Sequence, residues 1–246
     1  IGHNDLEYLE KTLKETKDQY QTRLVIIDGV YSQDGDLSLL PEIISLCKTH
    51  EAMLMLDDAH GIGVMGANGK GTAEHFNCLG QVDIITGTFS KSFGCVRGVA
   101  AASNKIIPYL ELYADSNVFS AAPTPQVTAS ILKALEIIKK EPAIRARLWE
   151  NTDYLRSRLT TEGFDIGKSV SPIFPIMIRD NKKVYEIAKM LQEKGIFTIG
   201  IVYPAVRTKE ARLRVSVLAT HEHEQLDALI NALNDINKDI KIKKEQ

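Results

Sequence analysis

Short apolar runs alternate, in the first part of the chain, with stretches whose apolar residues recur at helical spacing. The run Leu24–Ile27 is continuously apolar and rich in β-branched residues, a pattern typical of a strand buried on both faces. The apolar runs Ala52–Leu56 and Val82–Ile85 also predict strands. Helical spacing predicts one helix over residues 5–20 and another that begins near Pro41. Strands that alternate with helices usually pair in parallel through right-handed crossovers, so this part predicts an α/β unit.

The order of predicted elements changes after Glu141–Pro142, where we place a domain boundary. The part before it, residues 1–141, also predicts a short strand at 99–102 and helices over 106–113 and 125–140. The part after it, residues 142–246, predicts a small α+β domain. Its elements are a helix over 143–162, an edge strand at 173–178, a helix over 182–194, strands at 197–202 and 213–217, and a last helix after Thr220.

Composition excludes several classes of protein. A formal net charge of −2 leaves no basic excess for nucleic acid, and no apolar run is long enough to span a membrane. The cysteines Cys47, Cys78 and Cys95 are odd in number and widely spaced, which predicts reduced thiols in a cytoplasmic protein. His221 and His223 lie beside glutamates near a helix start, and we predict exposed polar residues there and no metal site.

Chemically reactive residues follow two of the predicted strands. Asp57 and His60 come directly after one apolar run, and Thr88, Ser90 and Lys91 come just after another. In an open α/β sheet, ligands bind outside the carboxyl ends of the strands. The two groups are therefore expected to face one crevice.

An acid, a histidine and a lysine in one crevice suit an aldehyde cofactor with a pyridine ring. Lys91 would form the Schiff base, and a carboxylate would keep the ring nitrogen protonated as an electron sink. Asp57 suits that task, although Asp58 is an alternative on the residues alone. His60 would bond the ring hydroxyl, and the hydroxyls of Thr88 and Ser90 would hold a phosphate.

Five glycines between residues 61 and 71 lack the context of a nucleotide-binding loop. The stretch has no Gly-x-Gly-x-x-Gly entering a helix and no Gly-Lys-Ser/Thr. We predict a flexible connection.

Four motifs in order resemble the α-oxoamine synthases. They are Asp-Gly-Val-Tyr-Ser-Gln-Asp-Gly-Asp at 28–36, Asp-Asp-Ala-His-Gly at 57–61, Gly-Thr-Phe-Ser-Lys-Ser-Phe-Gly at 87–94 and Ala-Arg-Leu-Arg-Val-Ser at 211–216. The resemblance covers nearly the whole chain. That family includes serine palmitoyltransferase, 2-amino-3-ketobutyrate CoA ligase, 8-amino-7-oxononanoate synthase and 5-aminolevulinate synthase.

This resemblance implies a fold-type I transferase dependent on pyridoxal 5'-phosphate (PLP), similar to aspartate aminotransferase. Such a fold has a large domain with a mostly parallel sheet and a small C-terminal α+β domain. The implied reaction condenses an amino acid, with serine or glycine favoured, with an acyl-CoA. Residues 88–92 look most like serine palmitoyltransferase, whereas 80–88 and 201–204 resemble 2-amino-3-ketobutyrate CoA ligase. The implied assembly is a homodimer with its active site at the subunit interface.

Site residues follow from the same resemblance. The family pattern assigns the ring nitrogen to Asp57 and the ring hydroxyl to His60, and it places Ser32 against the cofactor. Ser120 corresponds to positions that reach a partner subunit's phosphate. Arg214 corresponds to the arginine that clamps the substrate carboxylate with two hydrogen bonds.

Two departures from the family pattern change the expectation. Relatives usually carry Gly-Gly where this chain has Arg97–Gly98, so an arginine side chain must crowd the site, contact a phosphate or point outward. Full-length relatives also carry a long N-terminal stretch with a glycine-containing phosphate loop, so we expect these 246 residues to be N-terminally truncated. The alternatives are an aminotransferase of the same fold, which more often has a tyrosine in place of His60, and a truncated chain without activity.

Overall fold

The computed structural model describes residues 2–242, and their elements follow the predicted order closely. In chain order they are α1 (Leu6–Glu15), β1 (Leu24–Asp28), α2 (Leu40–Thr49), β2 (Met53–Asp57), α3 (Thr72–His75), β3 (Ile84–Thr88), β4 (Gly98–Ala102), α4 (Ile107–Tyr113), α5 (Asp115–Val118), α6 (Pro125–Lys140), α7 (Pro142–Thr161), β5 (Ile173–Met177), α8 (Asn181–Glu193), β6 (Ile199–Ile201), β7 (Arg212–Ser216) and α9 (His223–Asp239). The chain divides into two compact units. The first runs to Tyr31 and resumes over Leu37–Pro142, and the second takes Ser32–Asp36 and the chain from Ala143 onward.

The first unit contains a four-stranded sheet in the order β1-β2-β3-β4. The pairs β1–β2 and β2–β3 are parallel, as predicted, but β4 runs antiparallel to β3. Only residues 89–97 connect β3 to β4, and a parallel crossover needs a dozen residues or more. The sheet is therefore mostly parallel, as predicted, with one antiparallel strand whose direction the sequence analysis did not specify.

One face of this sheet holds the core of the first unit. Leu9 and Leu13 of α1 are buried in one cluster with Ile44 of α2 and with Val25 and Leu54 of the strands. Helix α1 ends at Glu15 and not at Tyr20, because the apolar spacing stops at Leu13.

Burial of β1 is one-sided. Val25 is buried, but Ile26 is 61% exposed. The prediction of a strand buried on both faces is wrong for β1, since its alternate side chains point away from the cluster that α1 and α2 cover.

The second unit is built on a three-stranded antiparallel sheet in the order β5-β7-β6. Helices α7, α8 and α9 bury their apolar faces in a single cluster with the strands. That cluster includes Leu155, Leu159, Phe174, Ile176, Ile187, Leu191, Leu213, Ile230 and Leu233. β5 is an edge strand, as predicted.

A five-residue segment from the first half of the chain belongs to the second unit. The Gly35 carbonyl accepts hydrogen bonds from the backbone N–H groups of Val170 (3.0 Å) and Ser171 (3.1 Å). Beside it, Asp34 forms an ion pair of 2.5 Å with Arg212, whose side chain is only 4% exposed. The segment at residues 32–36 is thus fixed by backbone bonds and by a charge pair.

Membrane spans, metal sites and disulfides were each sought among the residues that the structure describes. Within residues 2–242, no helix has the length and apolar character that crossing a bilayer requires. The same residues contain no group of three or more histidine, cysteine or acidic side chains suited to a metal ion. Cys47 and Cys78 are buried and Cys95 is half-buried, and none is in a disulfide.

We expect Gly35→Ala to destabilise the second unit far more than Gly195→Ala. Both glycines have positive φ, +69° and +78°, so alanine costs about 1–2 kcal/mol at either position. A Cβ at Gly35 would also lie 2.2 Å from the Ile173 carbonyl oxygen, whereas at Gly195 it would meet no atom within 4 Å. Urea unfolding monitored by circular dichroism measures both variants, and equal losses of stability would contradict the crowding at Gly35.

Candidate active site

The carboxyl ends of three parallel strands form one edge of the first unit. The register pairs Asp28 of β1 with Asp57 of β2, and Asp57 in turn with Thr86 of β3. β3 ends at Thr88, and the turn that follows it carries Lys91. The topology therefore brings the two reactive groups predicted from the sequence to the same end of the sheet.

Asp57 and Lys91 both act electrostatically on Asp28. Burial raises the pKa of Asp28, the negative charge of Asp57 raises it further, and the positive charge of Lys91 lowers it. Both charges therefore lie within electrostatic range of Asp28. Sequence reasoning missed Asp28 as a site residue, although it ends β1 just as Asp57 ends β2.

The adjacent acids Asp57 and Asp58 have different environments. Asp57 is half-buried, and its Oδ1 accepts a hydrogen bond of 3.0 Å from the backbone N–H of Ala59. Asp58 is 1% exposed, and its carboxylate accepts hydrogen bonds from Thr72, at 2.7 Å from the backbone N–H and 2.5 Å from the hydroxyl. The carboxylate of Asp58 is thus occupied inside the fold.

Three glycines, one after β1 and two at the ends of the glycine-rich loop, surround the Asp58 carboxylate. A Cβ on Gly29 would lie 2.5 Å from a carboxylate oxygen, one on Gly61 1.9 Å, and one on Gly71 1.8 Å. We call these residues, with Thr72, the Asp58 cradle. Burial raises the pKa of Asp58 and outweighs the opposing effect of the Thr72 hydrogen bonds.

The glycine-rich loop is held by this packing and by its own hydrogen bonds. The Gly63 N–H donates to the Gly69 carbonyl at 2.8 Å, and the Gly71 N–H donates to the carbonyl of Met65, a fully buried residue. The prediction of a loose connection is therefore wrong. Glycines are required here because the loop passes against a buried carboxylate, which the sequence pattern did not reveal.

His60 lies on the turn that connects Asp58 to this loop. The turn is closed by a hydrogen bond of 2.9 Å from the Gly61 N–H to the Asp58 carbonyl. The His60 side chain is half-buried, and the turn follows directly on the end of β2. His60 thus belongs to the same sheet edge as Asp57.

Two hydroxyls are paired at the end of β3. The Thr88 and Ser90 oxygens lie 2.7 Å apart, and the backbone N–H of Ser90 also donates to the Thr88 oxygen at 3.2 Å. Both the Thr88 hydroxyl and the Phe89 N–H donate to the Arg97 carbonyl, at 3.3 and 2.9 Å. Lys91 follows immediately, and its side chain is exposed.

Arg97 adopts a backbone conformation that favours glycine. Its φ is +86°, in the left-handed region, and its side chain is exposed. The contribution of Arg97 to the turn comes from its carbonyl group, which any residue supplies. This conformation explains why a glycine pair suits the position.

Arg214 and Ser32 belong to the second unit, and Ser120 belongs to the first. In the second unit, the Arg214 Nε donates to the Ser32 carbonyl at 2.6 Å, and its Nη1 donates to the Ser216 hydroxyl at 3.0 Å. Burial lowers the pKa of Arg214. Ser120 is exposed after α5, and its backbone N–H donates to the Asn117 carbonyl at 3.4 Å.

Comparison with known proteins gives consistent matches. The profile of the family described as aminotransferase class I and II matches residues 2–233. An 8-amino-7-oxononanoate synthase from Thermoanaerobacter pseudethanolicus is 41% identical over 98% of this chain and 61% of its own length. A serine palmitoyltransferase from Sphingobacterium spiritivorum is 42% identical over 98% of this chain and 60% of its own length. A solved structure of SPT with a PLP internal aldimine has a TM-score of 0.92 and 29% identity, and covers 98% of this chain and 61% of that one.

The match to a solved structure confirms the fold type that the sequence motifs predicted. The chain spans about three fifths of the length of the curated relatives that it matches.

We expect wild type to lose stability relative to Asp58→Asn as the pH rises. The pKa of Asp58 is raised in the folded chain, so folding favours the protonated carboxyl. This contribution is complete below the unfolded pKa and is lost as the pH rises through the folded pKa. Each tenfold difference between the folded and unfolded acid dissociation constants corresponds to about 1.4 kcal/mol.

Urea midpoints of wild type and Asp58→Asn, measured between pH 4 and pH 8, test this expectation. Asp18→Asn, on an exposed side chain, serves as the control. A stability difference between wild type and Asp58→Asn that does not change with pH would contradict the raised pKa of Asp58.

We expect Arg97→Gly to be more stable than Arg97→Ala by about 1 kcal/mol, because only glycine adopts a φ of +86° without strain. The comparison is measured by thermal and urea unfolding. Ala100→Gly, in strand β4, is the control. There glycine should lower the stability relative to alanine, since glycine weakens an ordinary strand position. If Arg97→Ala proved as stable as Arg97→Gly, the strain assigned to residue 97 would be refuted.

Proposed function

Because the chain belongs to the α-oxoamine synthases, within the class I and II aminotransferases, we propose that it is part of a PLP-dependent C-acyltransferase. The reaction joins the α-carbon of an amino acid to the acyl carbon of an acyl-CoA and releases the CoA thiol. The observation that carries the proposal is the placement of Asp57, Asp28 and the turn of Lys91 at the carboxyl ends of neighbouring parallel strands.

The residues at this edge fit PLP. Lys91 offers an amine for the aldehyde carbon, Asp57 a carboxylate for the ring nitrogen, and His60 a ring nitrogen for the PLP hydroxyl. Thr88 and Ser90 offer two adjacent hydroxyls for the phosphate, 2.7 Å apart. When bound, PLP supplies an electron sink for the charge left on the amino acid α-carbon after its proton is lost.

The negative charge of Asp57 would raise the pKa of the cofactor's ring nitrogen. At an effective dielectric constant near 20, a carboxylate about 4 Å from the pyridinium contributes on the order of 4 kcal/mol, which raises the pKa of the ring nitrogen by roughly three, before desolvation costs. The charge of Asp57 therefore favours the protonated ring nitrogen. Asp58 cannot perform this role without giving up its bonds to Thr72.

Lys91 would accept the α-proton in this proposal, because a neutral lysine amine is a base and this one adjoins the proposed cofactor site. Arg214 holds the substrate carboxylate. Its Nε and one Nη1 hydrogen are used by Ser32 and Ser216, which orient the guanidinium and leave the Nη2 donors for a ligand. We also propose that Ser32 contacts the cofactor. Ser120 is proposed to contact the phosphate bound by a partner subunit in a homodimer.

The division into two units supports a matching proposal for the domains. We assign residues 1–141 to the C-terminal part of the PLP-binding domain and residues 142–246 to the small α+β domain. Serine or glycine remains the proposed amino acid. The relatives divide between serine palmitoyltransferases and 8-amino-7-oxononanoate synthases, so the acyl group is left as an acyl-CoA of unspecified length.

Incubation of the 246-residue chain with excess PLP is expected to produce an absorbance band beyond 400 nm that borohydride abolishes. Mass spectrometry of the reduced protein should place the pyridoxyl group on Lys91, because this lysine adjoins the proposed phosphate-binding hydroxyls. We expect weak binding and slow thiol release from acyl-CoA by this chain. Asp57→Asn should keep the labelling but lower thiol release by about 10²- to 10³-fold.

The matched controls are Lys91→Ala, which should abolish the band, and Lys105→Ala, which removes an exposed lysine outside the turn and should not. Labelling spread equally over Lys91 and Lys105 would refute the proposed cofactor site.

A further inference from the structure

The turn that carries Lys91 is a compact loop closed on itself. The Gly94 N–H donates to the Lys91 carbonyl at 2.9 Å, and the Cys95 N–H donates to the Phe89 carbonyl at 2.7 Å. The rings of Phe89 and Phe93 pack edge to face, with centroids 5.0 Å apart. These contacts fix the shape of the turn, but they do not join it to the strand that ends at Asp57.

A hydrogen bond of Ser92 connects this turn to the loop that follows Asp57. The Ser92 hydroxyl donates to the Ile62 carbonyl at 2.6 Å. The same residue, Ile62, donates its N–H to the Asp58 carbonyl at 3.0 Å. Backbone and side-chain bonds thus run from the Asp58 cradle through Ile62 to the residue after Lys91.

The surroundings of this bond leave little room for another arrangement. A Cβ on Gly63 would lie 2.6 Å from the Ser92 oxygen, and one on Gly87 would lie 2.7 Å from Cδ1 of Ile62. Both glycines let Ile62 and Ser92 approach closely. The small residues on either side of the bond are therefore required by the contact between the two loops.

We infer that Ser92 is a positioning residue, whose hydroxyl holds the turn of Lys91 against the loop of Asp57 and His60. The effect of Ser92 on cofactor binding rests on the proposed function, in which Lys91 and Asp57 contact the same cofactor ring. Ser92 would act through the position of its neighbour and would not contact the reacting atoms. Because Ser92 is exposed, its removal should not prevent folding.

The first test needs no cofactor. Trypsin cleaves after lysine, and the bond after Lys91 is protected only while the turn keeps its structure. With Ser92→Ala in the full 246-residue chain, we expect cleavage after Lys91 to accelerate by about two- to tenfold, the range for loss of one ordinary hydrogen bond. Cleavage after Lys105 should be unchanged, and the two rates are compared by mass spectrometry of early digests.

The second test uses PLP at a fixed subsaturating concentration. Ser92→Ala should lower the rate of borohydride-trapped labelling at Lys91 by about the same factor, and Ser92→Thr, which keeps a hydroxyl, should restore it. Ser130→Ala is the matched control. It removes another exposed serine that bonds a backbone carbonyl, that of Gln126 at 2.9 Å within α6, and should change neither rate.

The outcomes separate this inference from the proposed function. Unchanged cleavage after Lys91 in Ser92→Ala, or equal acceleration after Lys91 and Lys105, would overturn the positioning role. Faster cleavage after Lys91 alone would support it. If no variant, wild type included, is labelled by PLP while cleavage responds as expected, the proposed function fails and the fixing of the turn by Ser92 stands.

Discussion

A carboxylate buried in the first unit fixes the position of much that surrounds the candidate site. Asp58 is removed from water, and it is tolerated there because the Thr72 N–H and hydroxyl satisfy its oxygens. Three glycines close around it, one after β1 and two from the glycine-rich loop. One side chain thereby sets the path of the strand that ends before it, of the turn with His60 and of the glycine-rich loop.

Two consecutive aspartates have different roles, since Asp58 stabilises the fold and Asp57 is the proposed cofactor ligand. Successive residues at the end of a strand point in opposite directions, so Asp57 and Asp58 receive different surroundings from the same backbone. Asp58 turns into the fold and binds Thr72, while Asp57 stays half-buried beside Asp28, its partner in the strand register. The hydrogen bonds of Asp58 thus hold the backbone directly after Asp57, whose own Oδ1 accepts the Ala59 N–H.

Much of the fold was predictable from local pattern alone. The strands β1, β2 and β3 appear in the sequence as short apolar runs. Helices such as α6 and α9 appear as apolar residues at helical spacing, which is the pattern of a helix with one apolar face. Strand direction was not predictable for β4, since the apolar residues of a strand are the same whichever way it runs. The position of Lys91 and Asp57 at one edge followed from parallel pairing, which the structure has.

The parts that sequence reasoning missed are contacts between distant residues. Nothing local to Gly29 or Gly71 reveals that both face the same carboxylate, and nothing local to Ser92 reveals the carbonyl of Ile62. Asp34 likewise finds its partner Arg212 178 positions away in the chain. Side chains that hold a site in place are thus harder to identify than those that form it, because their roles depend on three-dimensional proximity.

The three cysteines give experimental access to one region in particular. Burial raises the pKa of the Cys47 thiol to about 11, which leaves about one thiolate in ten thousand at neutral pH, and Cys78 is buried as well. Cys95 is only half-buried and lies four residues after Lys91. A thiol-reactive fluorophore should therefore attach there first and report on the surroundings of the lysine without an introduced label site.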